Sequence, residues 1–360
     1  MSTNGPGVGE VEISLFGPGY GESLAIHLGD GDWMIVDSCL DAATQEPSAL
    51  VYLRSIGVNP KTAVKLIVAT HWHDDHIRGL DTICADCSDA TLVISNALRV
   101  REFLTLSTVY AENSGMVSGG TDTIYKVIKL GLKSGKVLLA LINKPMQIKA
   151  SLGSHPGYSV TALSPSDHCC IRAQAALGAL IPKINKQKTR LRQPDHNETS
   201  VALWIEIGPR KILLGADLEN GAGHPEWSFI VTNTGGKNGA EVFKIPHHGS
   251  SNGYNVDVWH HMVIPNAHAL ITPYSKLVKP LPTPQNVETI KTHTDKVSIT
   301  RILPFKIGRV PKRGAKNKVL LKVAKNFRKV PLSEGQIRLR SNLSASSVWL
   351  VEHIGTASAL

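Results

Sequence analysis

The chain has 360 residues, of which 42% are hydrophobic and 19% charged, and its formal net charge is +10. This composition is typical of a globular protein with a sizeable core, and the length allows one large domain or two ordinary ones. No apolar run approaches the roughly 18 residues of a membrane span, and residues 1–7 lack the basic and apolar regions of a secretory signal, so we expect a cytoplasmic protein without a membrane span.

The predicted elements begin with a strand-rich segment. Glu10–Phe16 alternates polar and apolar residues, and Ser23–Leu28 and Asp32–Asp37 form a predicted hairpin around a glycine turn. A helix is predicted over residues 48–58. Val64–Thr70 is a short apolar run rich in β-branched residues, which indicates a buried strand.

The rest of the chain continues this alternation of strands and helices. The predicted strands are 159–164, Ser200–Ile207, Lys211–Leu214, Ala240–Ile245, Ala269–Thr272, Val297–Leu303 and Gly335–Arg340, and the predicted helices are Asp167–Leu180 and Pro284–Thr294. Because several of these strands end in polar turns and alternate with helices, the sequence predicts a layered α/β fold.

Two segments carry most of the positive charge. Residues 291–340 hold fifteen Lys or Arg and two acidic residues, and the stretch Lys183–Arg192 holds five Lys or Arg. Basic segments of this kind can bind polyanions such as nucleic acid, and they can equally be solvated faces or flexible tails. We therefore expect that nucleic acid or a nucleotide, as a partner, would contact segments 183–192 and 291–340.

Four potential metal ligands lie within six residues, directly after the strand that ends at Thr70. They are His71, His73, Asp75 and His76. A single histidine would be an ordinary surface or core residue, but four imidazole and carboxylate groups so close together are hard to explain structurally, and Zn²⁺ accepts both ligand types. The motif therefore predicts a metal site.

Two later segments end predicted strands with similar side chains. Asp217 follows the apolar strand Lys211–Leu214 after a small-residue turn, and its carboxylate could bridge two metals, although Asp is also common in ordinary turns. His247 and His248 follow the strand Ala240–Ile245 and a proline, and the Gly-Ser that comes next allows close approach of the backbone. These residues are further candidate ligands.

The three segments, in this order, resemble the metallo-β-lactamase superfamily. The resemblance covers residues 8–303 and rests on H-x-H-x-D-H, on Gly-x-Asp after a strand, and on Pro-His-His-Gly-Ser. More narrowly, Asn197–Leu203 and Pro282-Thr283-Pro284 are similar to the C-terminal hydrolase domain of bacterial competence DNA-uptake channel proteins and to its stand-alone relatives. The implied fold is α/β, an αββα sandwich of two mixed β-sheets packed face to face with helices outside. Residues 304–360 would be a basic C-terminal extension packed on the same domain.

The resemblance implies a site for two divalent metal ions. His71, His73 and His196 would hold one ion, Asp75, His76 and His247 would hold the other, and Asp217 would bridge them. The competence-type domains often lack the histidine that His196 would supply, and a loop histidine is the alternative. The sequence does not decide between His247 and His248, so we assign His247 as the ligand because it comes first after the strand, and His248 to substrate contact or proton donation. Zn²⁺ is the favoured ion, and Mn²⁺ or Fe would also fit.

The implied activity is hydrolysis by a dinuclear centre with a bridging hydroxide, because metal-bound water becomes acidic enough to act as a nucleophile near neutral pH. Asp75 would be catalytic as well as a ligand, since it would orient that nucleophile. The two basic segments favour phosphodiester bonds of nucleic acid or nucleotides as the substrate. The alternatives are an amide, lactone or thioester hydrolase of the same fold, and a nucleic-acid- or partner-binding module with little catalysis.

Overall fold

The computed structural model describes eight stretches of the chain, and all the statements below concern these residues. They are residues 4–98, 119–152, 156–184, 197–221, 224–276, 280–302, 335–344 and 347–360. His196 lies outside them, as do residues 185–192 of the predicted basic loop and residues 303–334 of the second basic segment. No described helix is both long and apolar enough to cross a membrane.

Helices and strands alternate along the described chain. The helices are α1 (Ser48–Ser55), α2 (Pro60–Ala63), α3 (Asp74–Ile77), α4 (Leu80–Asp86), α5 (Gly119–Ser134), α6 (Asp167–Ile184), α7 (Glu226–Asn233), α8 (Val256–His261) and α9 (Pro284–Lys291). The strands are β1 (Glu10–Phe16), β2 (Ser23–Gly29), β3 (Asp32–Val36), β4 (Val64–Ala69), β5 (Thr91–Ser95), β6 (Val137–Ala140), β7 (Lys144–Lys149), β8 (Tyr158–Ala162), β9 (Leu203–Ile207), β10 (Arg210–Leu214), β11 (Asn220–Gly221), β12 (His224–Pro225), β13 (Ala240–Lys244), β14 (Val263–Ile271), β15 (Val297–Ile299), β16 (Gln336–Asn342), β17 (Leu350–Ile354) and β18 (Ser358–Ala359).

The strands form two mixed sheets. The first has the order β17-β16-β1-β2-β3-β4-β5-β6, in which β1 to β3 pair antiparallel and β3 to β6 pair parallel. The second has the order β18-β15-β14-β13-β10-β9-β8-β7, and its central strands β10, β13, β14 and β15 are parallel. The short pair β11-β12 stands apart from both sheets. The late strand β16 pairs with β1, and β18 pairs with β15, so the end of the chain contributes to both sheets.

Three apolar clusters show how the layers pack. Side chains alternate between the two faces of a strand, and on β4 Leu66 belongs to the cluster between the sheets while Ile67 packs against the helices outside the first sheet. A third cluster packs Trp227 and Trp259, from α7 and α8, against the outer face of the second sheet. The predicted αββα sandwich is therefore confirmed.

Several predicted strand ends are wrong by a few residues. The strand predicted as Asp32–Asp37 ends at Val36, because Asp37 adopts a left-handed φ of 56° that extended backbone does not allow. The strand predicted as Ser200–Ile207 begins only at Leu203, because Asn197–Thr199 forms a turn of 3₁₀ helix just before it. Both shifts lie beside the metal motif, where the chain turns away from regular pairing.

Candidate metal centre

The predicted ligands meet at one edge of the two sheets. His71 and the rest of the first motif follow β4, Asp217 follows β10, and His247 and His248 follow β13. β10 and β13 are parallel neighbours in the second sheet and β4 lies in the parallel part of the first, so the carboxyl ends within each sheet share one edge. Residues distant in the sequence are thereby brought within a few ångströms of one another.

Four ligand atoms form one compact group. The group contains Nε2 of His76 and of His248 and Oδ2 of Asp75 and of Asp217. His76 Nε2 lies 3.7 Å from the Asp75 oxygen and 3.2 Å from the Asp217 oxygen, and His248 Nε2 lies 3.2 and 3.3 Å from the same two oxygens. A tetrahedral Zn²⁺ with ligand bonds of about 2.0–2.1 Å separates its ligand atoms by about 3.3 Å. The spacing therefore fits a single divalent ion.

Unsatisfied polar atoms support the same fit. Within the described part of the chain, the buried Nε2 atoms of His76 and His248 and the buried Oδ1 of Asp217 have no hydrogen-bond partner. Leaving a buried polar atom unpaired is costly, and natural structures seldom do so without an ion, a water molecule or a catalytic reason. A bound cation would satisfy both imidazole nitrogens.

A second group of ligand atoms adjoins the first. His71 Nε2 lies 3.1 Å from His73 Nδ1 and 3.9 Å from Asp217 Oδ2. Asp217 therefore borders both groups, which is the position predicted for a bridging carboxylate. The predicted third histidine of this group, His196, lies outside the described residues, so its role stays a prediction.

His248, rather than His247, lies among these ligand atoms, whereas the sequence led us to expect His247 there. His247 instead places its Nδ1 2.9 Å from Glu219 Oε1 and 2.8 Å from Asn252 Oδ1. Both histidines have a left-handed backbone, with φ values of 45° and 53°. This turn, rather than the order of residues after the strand, decides which ring faces the cluster.

Hydrogen bonds donated by Nδ1 orient the buried rings of His71, His76 and His248. Thr70 Oγ1 has one proton, which it donates to Asp37 Oδ2 at 2.7 Å, so its 3.0 Å contact with His71 requires that His71 Nδ1 donate. His76 Nδ1 donates to Asp37 Oδ2 at 2.7 Å, and His248 Nδ1 donates to the carbonyl of Thr272 at 3.1 Å. In each ring the hydrogen bond of Nδ1 leaves Nε2 facing the cluster, where its lone pair would become available to an ion on loss of the Nε2 proton.

The electrostatics of the cluster attract positive charge. Burial opposes the charged form of His248, but the carboxylates of Asp217 and Asp75 outweigh it and raise the pKa of His248 to about 10. Burial likewise opposes ionisation of Asp75, yet the neighbouring histidines lower its pKa to about 2. In the metal-free protein the rings therefore hold protons among the carboxylates, and a divalent ion would compete for the same negative potential.

A buried ion pair supports the cluster and was not predicted from the sequence. Glu22, which precedes β2, places Oε1 2.6 Å from Nζ of Lys244, and both side chains are 1% exposed. Lys244 Nζ also donates to the carbonyl of Ala216, directly before Asp217, at 3.1 Å. Thr272, whose carbonyl holds His248, donates its hydroxyl to Glu22. The pair thus connects the backbone just before Asp217 with Thr272, the residue that holds the ring of His248.

Gly21 lets the loop before β2 approach the metal motif, and alanine there should be harmful. Its φ is 104°, and an added Cβ would lie 2.9 Å from Cys39 Cβ and 3.1 Å from the carbonyl oxygen of Asp75. Gly31 is the matched control, because its φ is 77° and its Cβ would meet nothing within 4 Å. We expect Gly21→Ala to lower the free energy of unfolding by about 1–3 kcal/mol more than Gly31→Ala does, measured by urea denaturation. Equal losses would show that the loop can move away from the motif without cost.

A cleft of about 320 Å³ opens over the cluster. Its described lining contains one aliphatic side chain, and the remainder are polar, charged or tyrosine. The lining residues are Tyr20, His73, Asp74, Asp75, Asn197, Asp217, His247, His248, Tyr274 and Leu281. His247 therefore borders the cleft without joining the ligand group, where it can reach a bound molecule.

A family model described as the metallo-beta-lactamase superfamily matches residues 16–138. This range contains the first motif but neither Asp217 nor His248. No curated protein matches the chain. The finer resemblance to the competence-type hydrolase domains rests on the sequence motifs and stays a prediction.

Solved structures that resemble the chain include three hydrolases. The hydrolase AbOPH of the beta-lactamase superfamily is 22% identical over 40% of this chain, with a TM-score of 0.28, and the match spans 52% of AbOPH itself. The metallo-beta-lactamase SMB-1 is 14% identical over 69% of this chain and 82% of its own, with a TM-score of 0.35. A motif mutant of a metallo-beta-lactamase from Cronobacter sakazakii is 13% identical over 64% and 75%, with a TM-score of 0.34. These values are too low to transfer a substrate or a residue's role. Residues 16–138 are thus similar in sequence to the metallo-beta-lactamase superfamily, and the described chain has the αββα sandwich that this resemblance implied.

Proposed function

We propose that the protein is a metal-dependent hydrolase with a dinuclear centre. The four ligand atoms at 3.2 to 3.7 Å, two of them imidazole nitrogens without a hydrogen-bond partner, carry the first ion of this proposal. The contacts of His71 with His73 and Asp217 support the second ion. Asp75, His76 and His248 would hold one ion, His71, His73 and His196 would hold the other, and Asp217 would border both. Zn²⁺ is the favoured ion for this set of ligands, and Mn²⁺ or Fe would also fit.

The chain's own residues would arrange the substrate and the ligands. Bound divalent ions would acidify water and neutralise the negative charge that develops during hydrolysis. Asp37 and Thr272 fix the rings of His76 and His248 from behind. His247, held by Glu219 and Asn252 at the edge of the cleft, would take the substrate-contacting role that the sequence had assigned to His248.

Phosphodiester bonds of nucleic acid or nucleotides are the proposed substrate. A narrow apolar pocket would favour an amide, lactone or thioester, whereas the described lining of this cleft is polar. The basic segments 183–192 and 291–340 support an anionic substrate by their charge, and they are the proposed contacts for nucleic acid.

Hydrolysis assays with matched variants test this proposal. Protein loaded with Zn²⁺, Mn²⁺ or Fe²⁺ would be incubated with single- and double-stranded DNA, RNA, cyclic nucleotides and bis(p-nitrophenyl) phosphate, and in parallel with nitrocefin, a lactone and a thioester. We expect phosphodiester turnover that falls by at least about 100-fold in Asp75→Ala, since that carboxylate lies in the ligand group. Asp74→Ala is the control, because its side chain lines the same cleft outside the ligand group, and it should retain most of the activity.

The other outcomes of this assay are equally informative. If nitrocefin, the lactone or the thioester were hydrolysed and no phosphodiester were, the proposed substrate class would be overturned and the proposal of a metal-dependent hydrolase would stand. Two bound equivalents of metal without turnover of any substrate would overturn hydrolysis and favour the binding module.

A further inference from the structure

Two exposed basic side chains lie against one tyrosine at the wall of the cleft. Nζ of Lys276 lies 3.2 Å from the ring centroid of Tyr20, and Cζ of Arg78 lies 5.4 Å from the same centroid. Tyr20 lines the cleft beside Asp75 and His248. Cations are attracted to the face of an aromatic ring, so Tyr20 holds both charges at the border of the metal centre.

The three residues come from separate parts of the chain, and hydrogen bonds fix their backbones. The hydroxyl of Ser38 donates to the carbonyl of Arg78 at 2.6 Å. The amide of Ser275, next to Lys276, donates to the carbonyl of Gly19, next to Tyr20, at 2.9 Å. The placement of the cations is therefore built into the fold around the site, rather than left to one flexible loop.

Neither cation has a carboxylate partner within ion-pair distance in the described part of the chain. Partial burial, followed by the nearby guanidinium of Arg78, lowers the pKa of Lys276. Two like charges held together repel each other; the nearby carboxylates of Asp74 and Asp75 offset part of that repulsion at Lys276, and a bound anion would relieve more of it. The pair thus offers two neighbouring positive charges to an anionic ligand at the border of the cleft.

We propose that Arg78 and Lys276 bind a phosphate of the substrate that neighbours the phosphate undergoing hydrolysis. This inference rests on the proposed phosphodiesterase function and extends it to substrates with at least two phosphates, such as oligonucleotides or phosphorylated nucleotides. A guanidinium can hold two phosphate oxygens at once, and the lysine adds a compact point charge.

Calorimetric titration with two probes isolates this contact. The probes are thymidine 5′-monophosphate and thymidine 3′,5′-bisphosphate, and the measured quantity is the ratio of their Kd values on metal-loaded protein. We expect the bisphosphate to bind at least about 10-fold more tightly to the wild type. Arg78→Ala and Lys276→Ala should each reduce that ratio by about 3- to 10-fold, and Lys276→Arg should retain it, because the charge is kept.

Lys129→Ala is the matched control. Its ammonium lies 5.8 Å from the ring centroid of Tyr125 on α5, outside the cleft, so this variant removes an equivalent lysine–tyrosine contact and should leave the ratio unchanged. A wild-type ratio near one, or a ratio that Arg78→Ala and Lys276→Ala do not alter, would overturn the proposal. Hydrolysis of bis(p-nitrophenyl) phosphate, measured in parallel, separates the two hypotheses. If the protein hydrolyses this substrate but the Kd ratio does not change in Arg78→Ala and Lys276→Ala, only the proposed anion pair is overturned. If the two variants change the Kd ratio but no phosphodiester is hydrolysed, the anion pair is supported and the proposed activity is overturned.

Discussion

Replacing His248 with alanine should remove about one of two bound divalent ions per chain, whereas replacing His247 should leave both in place. His248 Nε2 lies 3.2 Å from Asp75 Oδ2 and 3.3 Å from Asp217 Oδ2, while His247 is held away by Glu219. Loss of a residue that hydrogen-bonds a metal ligand typically weakens metal binding about 10- to 100-fold. Loss of the ligand itself should weaken metal binding by more than that. The measurement is metal content by mass spectrometry after loading and exhaustive dialysis.

The adjacent histidine makes this comparison well controlled. Both residues lie in the same turn, with left-handed backbones, so alanine costs each position a similar amount of backbone strain. Circular dichroism would establish that both variants are folded. If His248→Ala retained two ions and His247→Ala lost one, His247 would be the metal ligand, as expected from the sequence, and His248 would not be.

The sequence was sufficient for the part of the centre that is local. His71, His73, Asp75 and His76 lie in one short turn after a recognisable strand, so their proximity follows from their spacing. Asp217 became a candidate because it follows an apolar strand, and its bridging position was implied by the resemblance to the metallo-β-lactamase superfamily. Both inferences use short-range pattern, and the second also needs the resemblance.

The choice between His247 and His248 could not be made in this way. Two consecutive residues of the same type have the same conformational propensity. Their orientation depends on two left-handed φ values, which cannot be predicted from the sequence where the residues are not glycine. The supporting residues Glu22 and Thr272 were also missed, since they lie 250 residues apart in the sequence and meet through the packing of two sheets. A usable signal did exist in Lys244, a charge inside the otherwise apolar run Val242–Ile245.

The order of the strands was equally inaccessible from local pattern. β16 enters the first sheet beside β1, with Ile13 opposite Leu339, so a strand near the C-terminus completes a sheet that begins at residue 10. Such pairing is decided by the apolar faces that the two strands share, and no turn between them fixes it. Arg340 Nε also lies 2.7 Å from the buried Glu12 Oε2, so an ion pair joins β16 to β1.

Lys244 should be among the residues on which the stability of the fold most depends. Its side chain and that of Glu22 are both 1% exposed, and their charged atoms are 2.6 Å apart. Lys244→Met would remove the closest positive charge from the buried Glu22 carboxylate and leave it the Nδ1 atoms of His76 and His248 at 3.8 Å. Removal of one partner of a buried pair typically costs about 3–5 kcal/mol. We expect a loss of that size in the free energy of unfolding, measured by urea denaturation of the metal-free protein.

Two further variants identify the uncompensated charge as the cause. Lys244→Met combined with Glu22→Gln removes both charges and should recover at least about 1 kcal/mol of the loss, because a neutral buried pair avoids the desolvation penalty of the isolated carboxylate. Lys211→Met, on the neighbouring strand β10, removes a lysine whose Nζ donates to the exposed backbone carbonyl of Asn238. This variant should lower the free energy of unfolding by less than about 1 kcal/mol. If the double variant were no more stable than Lys244→Met, the loss would come from the packing of the lysine stem and its bond to Ala216, and the carboxylate beneath the centre would not be the source of the instability.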